Sequence, residues 1–257
     1  MDVIKSTLLY IVNSPILFFG TFFLFRALLW GVIEHFWSAR PVAYRKVGAR
    51  DFGAQLFHVF LIVPFAIYLY DRVFADYPQL EIFQDLPIAL RIVLYLLLGD
   101  LGYYWMHRLM HIEVLWPVHK WHHSPTYMYW LAGCRSTITH QFLVGAPFVL
   151  ASPVLNPAPW WIYTGLAMFS YLNVDWMHLN TPWGNRRLEW VFVTPRYHHI
   201  HHSANSAHYD KNLGNLVTFW DRLFGTYLDP EKLMEEEKEL SFGLGESPNP
   251  VRLIVGF

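Results

Sequence analysis

Long apolar stretches, each bounded by charge, divide the N-terminal half of this chain. Leu8 to Phe25 carries no charged residue over 18 positions, about the minimum for a helix that crosses a bilayer, and Arg26 to Ile33 can extend it into the interface. Ser38 to Asp51 follows with Arg40, Arg45, Lys46 and Arg50 against one acid, which the positive-inside rule places on the cytoplasmic side. A second apolar run, Phe52 to Tyr70, is interrupted only by Gln55 and His58, and the connection from Asp71 to Pro87 is acidic, as expected across the membrane. The third run, Ile88 to Met106, has Arg91 near its start and Asp100 near its end, and it returns the chain to the basic side. Two further apolar segments, Ile138 to Ala151 and Trp160 to Met177, are joined by the proline-rich turn SPVLNPAP. They read as a hairpin that enters the membrane and comes back.

The pattern predicts an all-α, multi-pass membrane protein with four to five membrane-embedded helices and a cytoplasmic histidine-rich cap. A single domain is expected over 1–257, with 1–106 mainly membrane helices, 138–177 the hairpin, and 107–137 and 178–257 the cap. Composition agrees: 54% hydrophobic and 15% charged, with 20 Phe, 15 Tyr and 12 Trp, is more apolar surface than a globule in water carries. Net charge near zero, without clustered Lys and Arg, argues against a nucleic-acid partner. The one cysteine, Cys134, cannot form an internal disulfide and reads as a packing residue. No cleavable leader is expected, because the first apolar run is too long and ends without a small-residue cleavage site. The EEEKE run from Glu235 to Glu239 reads as a solvated surface segment.

Candidate chemistry sits where the third helix leaves the bilayer. Between Asp100 and His123 lie five histidines, and Pro195 to His202, PRYHHIHH, adds four, so two short runs hold nine of the chain's 14. His107 and His111 are four apart. His119, His122 and His123 stand at i, i+3 and i+4, and His198, His201 and His202 repeat that interval. On a helix these spacings put imidazoles on one face. Eight imidazoles exceed one coordination sphere, so a dinuclear site is the expectation, and the hairpin between the runs brings both to one side. Such a set suits Zn, Cu, Fe or Ni and lacks the thiolates of a structural zinc site. The plain alternative is polar residues reaching water from helix ends. HRLMH is not a zinc-protease helix, because Arg108 stands where the general-base Glu belongs. A bis-histidine haem needs single histidines at depth, unlike these dense runs. Asp100, seven residues before His107, is placed to bond a ligand's free ring nitrogen from outside the coordination sphere. His199, turned about 100° from His198, is expected to miss the metals. His140 and His208 are open between support of the ligands and ordinary polar contact, and His35 and His58 read as structural. Arg108, Lys120, Arg135, Arg196 and Arg222 could dock an acidic electron donor or contact lipid phosphate.

The runs YYWMHRLMH, HKWHHS and TPRYHHIHHS, followed by NLGNLVTFWDRLFGTY from Asn212 to Tyr227, resemble the histidine boxes and C-terminal signature of the fatty acid hydroxylase/sterol desaturase superfamily. The resemblance covers about half the chain. It implies a membrane enzyme with a histidine-ligated centre of two Fe ions, Zn being a competitor in purified protein, which uses O2 and two external electrons to hydroxylate or desaturate a lipid. A sterol or fatty acyl chain is the leading expectation, beside sphingoid bases, alkylglycerol ethers and carotenoids. Electrons are expected from a separate cytochrome b5, ferredoxin or reductase, since no haem segment of the cytochrome b5 kind is fused to the chain. The membrane would be the endoplasmic reticulum or a bacterial inner membrane. His178 is the further ligand that the resemblance suggests. No histidine stands at 174 to pair with it, and Asp175 or Asn173 could compensate. The other reading is a membrane metal sensor, store or inactive relative.

Overall fold

A computed structural model describes residues 15–77, 81–237 and 239–244. Positions 8–14 of the first apolar run, 78–80 of the acidic connection, Lys238 of the EEEKE run and 245–257 of the expected cap lie outside the described residues. The described chain is helical, with two isolated antiparallel bridges, Phe192 to Val217 and Ser203 to Phe242.

Among the described residues, three helices are long and apolar enough to cross a membrane: α1 (Pro15–Trp37), α2 (Tyr44–Val73) and α3 (Ile88–Met110). Their outward faces carry apolar side chains such as Leu24 and Leu28, 68% and 69% exposed, which in water would be a severe liability and in lipid is ordinary. The basic segment before the second crossing is not wholly a loop. Helix α2 already begins at Tyr44, because beyond Pro41 the residues Arg45, Lys46, Ala49 and Arg50 are good helix formers and nothing breaks the ladder. Within α2, His58–Ile62 widens into a π turn. There Val63 N–H donates to His58 O, five residues back, immediately before Pro64, which has no N–H to donate.

The short helix α4 (Trp116–Lys120) follows α3. The expected hairpin is α5 (Ile138–Ala151) and α6 (Trp160–His178). Helix α5 is about 21 Å long at 1.5 Å per residue, short of the hydrocarbon thickness. It lies closely along α3: a Cβ on Gly99 would stand 2.3 Å from the Phe148 ring, so only glycine permits that approach. Arg91 closes the hairpin turn. Its guanidinium donates to the carbonyls of Val154 at 2.8 Å, Pro157 at 3.1 Å and Leu155, satisfying helix-end acceptors that would otherwise be orphaned in an apolar setting. The cap is completed by α7 (Pro195–His201), α8 (Phe219–Phe224) and α9 (Pro230–Glu236).

Buried ion pairs tie these elements together. Arg26 on α1 donates to Asp175 on α6, Nε to Oδ2 at 2.6 Å, and Trp30 Nε1 donates to the same oxygen at 2.8 Å. Arg135 Nε donates to Asp51 Oδ1 at 2.8 Å, and Tyr129 OH donates to Oδ2 at 2.5 Å. Removing one partner of such a pair leaves an uncompensated buried charge, a loss of about 3–5 kcal/mol.

Candidate metal centre

The eight histidines at matched spacing and His178 gather in two adjacent groups. His107, His111, His119, His123 and His201 form one, and His122, His178, His198 and His202 the other, with the ring nitrogens in each group within 4.8 Å of one another. Both short runs are divided in the same way. The i, i+4 pair His119 and His123 enters the five-histidine group while His122 crosses to the four. The pair His198 and His202 enters the four-histidine group while His201 crosses to the five. Neighbouring groups are therefore interlocked by each run, and the rings of His122 and His202 lie with centroids 4.7 Å apart.

Local structure explains the aim of each ring. Pro117 sits in the first turn of α4, and the helical turn continues past the helix through His122 N–H to His119 O at 2.9 Å. Thr194 caps α7 by accepting from Tyr197 N–H at 3.3 Å, with Pro195 in the first turn. His178 ends α6, and its ring occupies the space left by Gly133, where a Cβ would come within 2.5 Å of Nδ1.

Backbone carbonyls set the tautomers. His107 Nδ1 donates to Leu213 O at 2.8 Å, His201 Nδ1 to Lys211 O at 3.0 Å, and His178 Nδ1 to Val174 O at 2.7 Å. Because a carbonyl only accepts, each Nδ1 carries the proton and each Nε2 presents a lone pair to its group. His111 Nδ1 lies 3.4 Å from the Asp210 carboxylate. The residues fit a metal pair on three counts. Nε2 of His111 and of His201 is buried without a hydrogen-bond partner among the described residues. Nε2 atoms approach closely, 3.0 Å for His107 and His119 and 3.1–3.3 Å around the triangle His178, His198, His202. A shared proton satisfies one edge of such a triangle at a time, whereas a cation with nitrogen ligands at about 2.0–2.1 Å serves all three. Finally, burial, followed by repulsion from neighbouring imidazoles, holds His119, His122, His123, His198, His201 and His202 well below the usual histidine range. Neutral imidazole is the form that binds a metal.

Asp100 corrects one expectation. It hydrogen-bonds no histidine among the described residues: its carboxylate accepts from the backbone N–H of Leu216 at 2.8 Å and Val217 at 3.2 Å, from Asn215 Nδ2 at 3.2 Å and from Trp220 Nε1 at 2.9 Å. Asp221, which sequence reasoning left without a role, clamps the same loop, accepting from Leu213 and Gly214 N–H at 2.8 Å each, Tyr197 OH at 2.9 Å and Thr226 Oγ1 at 2.6 Å. Asp221 thus holds the stretch whose Leu213 carbonyl orients His107, and Asp100 holds the residues that follow it. Asp210 and Asn212 in that loop adopt left-handed φ of 59° and 54°, a conformation that Asp and Asn tolerate best among residues with a Cβ. The sequence signal was the NLGNLV…WDRLFGT run, whose acid and amide serve to position backbone.

Other expectations change as well. Asp175 is committed to Arg26, and Asn173 Nδ2 donates to Asn215 Oδ1 at 3.1 Å, so neither stands in for a histidine at 174. His199 lies outside both groups, with Nδ1 paired to Arg40. His140 is buried beside them, its ring centroid 4.8 Å from that of His119 and 5.2 Å from that of His122. His208 bonds Ser203 and Glu237. Arg135 and Arg196 do not form a docking surface, being paired with Asp51 and Glu189, and Arg222 donates to Glu189 O at 2.8 Å.

An apolar cavity of about 350 Å³ reaches the four-histidine group, with His122 and His178 in its wall beside Leu96, Val144, Phe148 and Leu166. It runs among α2, α3, α5 and α6.

Comparison with known proteins follows the same site. The family profile for fatty acid hydroxylases matches residues 92–226, the stretch that contains both histidine runs and the clamped loop. Alkylglycerol monooxygenase of Xenopus tropicalis is 27% identical over 218 residues, 82% of this chain and 47% of that protein. The Danio rerio protein of the same name is 33% identical over 129 residues, covering 50% of this chain and 28% of its own length. Ornithine lipid hydroxylase of Rhizobium tropici is 32% identical over 152 residues, 57% of this chain and 44% of its own. The chain spans less than half the length of each of these three relatives. No solved structure matches it significantly.

Proposed function

The chain belongs to the fatty acid hydroxylase family, and from that premise we propose that it oxidises a C–H bond of a membrane lipid with O2 at a centre of two iron ions. One observation carries the reading: two adjacent groups of histidines lie together, and one of them reaches the wall of an apolar cavity among the apolar helices. His107, His111, His119, His123 and His201 would hold one ion, and His122, His178, His198 and His202 the other. Bound there, the metals supply the oxygen-activating redox chemistry that an unactivated C–H bond requires. The remaining residues bind and shield. The apolar wall excludes water from the reacting carbon, the carbonyls of Leu213, Lys211 and Val174 fix the rings, and Asp221 keeps the Leu213 stretch in place while Asp100 anchors the residues that follow it. The relatives' names include monooxygenases, a hydroxylase and a sterol desaturase, so either outcome of the first hydrogen removal is open to this scaffold.

The cap is assigned to the cytoplasmic side by the basic residues before Asp51, with the hairpin returning the second histidine run to that side. Electrons come from a separate donor such as cytochrome b5, ferredoxin or a reductase. The test is lipid mass spectrometry of cells with and without the chain, paired with metal analysis of the purified protein. A lipid gaining one oxygen, or losing two hydrogens, together with two iron ions per chain is expected. Unchanged lipids in cells that supply a working donor would leave a metal-binding protein without turnover.

A further inference from the structure

The second apolar run carries two polar residues that the proposed chemistry does not use. Gln55 and His58 lie three apart on α2, hence on one helix face with Cβ atoms about 5–6 Å from each other, and His58 opens the π turn. Both are buried, 2% and 8% exposed, and both line the apolar cavity. A polar side chain at this depth needs a partner, and an unmet donor or acceptor costs about 1–3 kcal/mol. Yet Gln55 Nε2 and His58 Nδ1 have none among the described residues.

The chemistry of the missing partner can be deduced. His58 Nε2 lies 3.0 Å from Gln141 Oε1, and since that oxygen only accepts, Nε2 carries the proton of the neutral ring. His58 Nδ1 is then a bare acceptor. Gln55 Nε2 is a donor. A partner that satisfies both must donate and accept at neighbouring points, which a hydroxyl does and a hydrocarbon, ester or ether does not. The position suits a substrate: Gln141 neighbours His140, whose ring packs on His119 and His122, and His122 shares the cavity wall with Gln55 and His58.

We infer that Gln55 and His58 form a hydroxyl-binding subsite, and that the lipid taken by this cavity is an alcohol whose O–H donates to His58 Nδ1 and accepts from Gln55 Nε2. This deepens the oxygenase reading and rests on it for the word substrate. It is tested by equilibrium binding to the purified, metal-loaded full chain in lipid nanodiscs. The probes are hexadecanol, 1-O-hexadecylglycerol and cholesterol, each against its fully O-methylated counterpart, which keeps the apolar body and loses every O–H. At least one alcohol should bind about tenfold or more tighter than its methyl ether. That preference should shrink to under about twofold in Gln55→Leu and in His58→Leu, with metal content unchanged. Equal binding of every alcohol and its ether would overturn the subsite, and this result needs no variant to fold. A preference that survives both substitutions would overturn it too. Alcohol preference in a protein that oxidises no cellular lipid keeps the subsite and removes the oxygenase reading; lipid oxidation without alcohol preference does the reverse.

Discussion

The two histidine groups are built from the same runs but face different surroundings. In the five-histidine group, the His111 side chain is 9% exposed and its Nδ1 turns toward Asp210, a side chain 65% exposed. The four-histidine group is buried throughout, and two of its members stand in the cavity wall. One group therefore borders water and the other borders the apolar space. On the proposed function the difference implies a division of labour: protons and electrons would have their shortest approach to the five, and the lipid to the four.

The comparison can be broken most forcefully at the ligands. His122→Ala leaves three nitrogens in the small group, whereas His201→Ala leaves four in the large one. Both should lower turnover at least about 100-fold, but His122→Ala should empty its group more completely, read as metal ions per chain by elemental analysis. Full activity in either variant would sink the assignment.

The next largest effect is expected where the loop is clamped. Asp221→Asn removes the charge that gathers Leu213 and Gly214, and so disturbs the carbonyl that orients His107, a change expected to reduce turnover about 10–100-fold. Asp100→Asn should act in the same direction and more weakly, because it holds residues 215–220 and not the carbonyl-bearing stretch itself. Metal loss confined to one of two spectroscopically distinct sites would sharpen the contrast; equal loss from both would erase it. Gly133→Ala probes the other group. Its methyl would press on His178, and turnover should fall about tenfold with the five-histidine group still loaded. Asp210→Asn should be smallest, under about threefold, since an exposed carboxylate 3.4 Å from His111 contributes little. A large loss there would mean that the solvent edge does more than border water.

Much of this architecture was legible in the sequence. The apolar runs located the helices, and the eight histidines that drew attention by spacing all enter the two groups, joined by His178, which the family resemblance suggested. Their division was hidden. His122 and His123 are consecutive, and their separation into different groups follows from a turn of about 100° per residue combined with where the second run docks, a tertiary fact that spacing cannot carry. The role of Asp100 was hidden for a related reason. Its partners lie more than a hundred residues downstream and two of the four are backbone amides, which look alike at every position. Arg135 illustrates the opposite error: a cation near the cap suggested a surface, but Asp51, in a helix that begins earlier than its charge pattern implied, takes it inside.

The loop from Lys211 to Leu213 lends one carbonyl to a histidine of the membrane helix α3 and another to a histidine of the cap helix α7. It behaves as a rivet through two plates. A protease that cut this loop would remove no ligand, yet it would free both rings to turn, and metal would be lost from an otherwise complete set of histidines. Conversely, the rate of nicking at exposed Asp210 should report the state of the centre, slow while the rings pull the loop taut and fast once a chelator has released them.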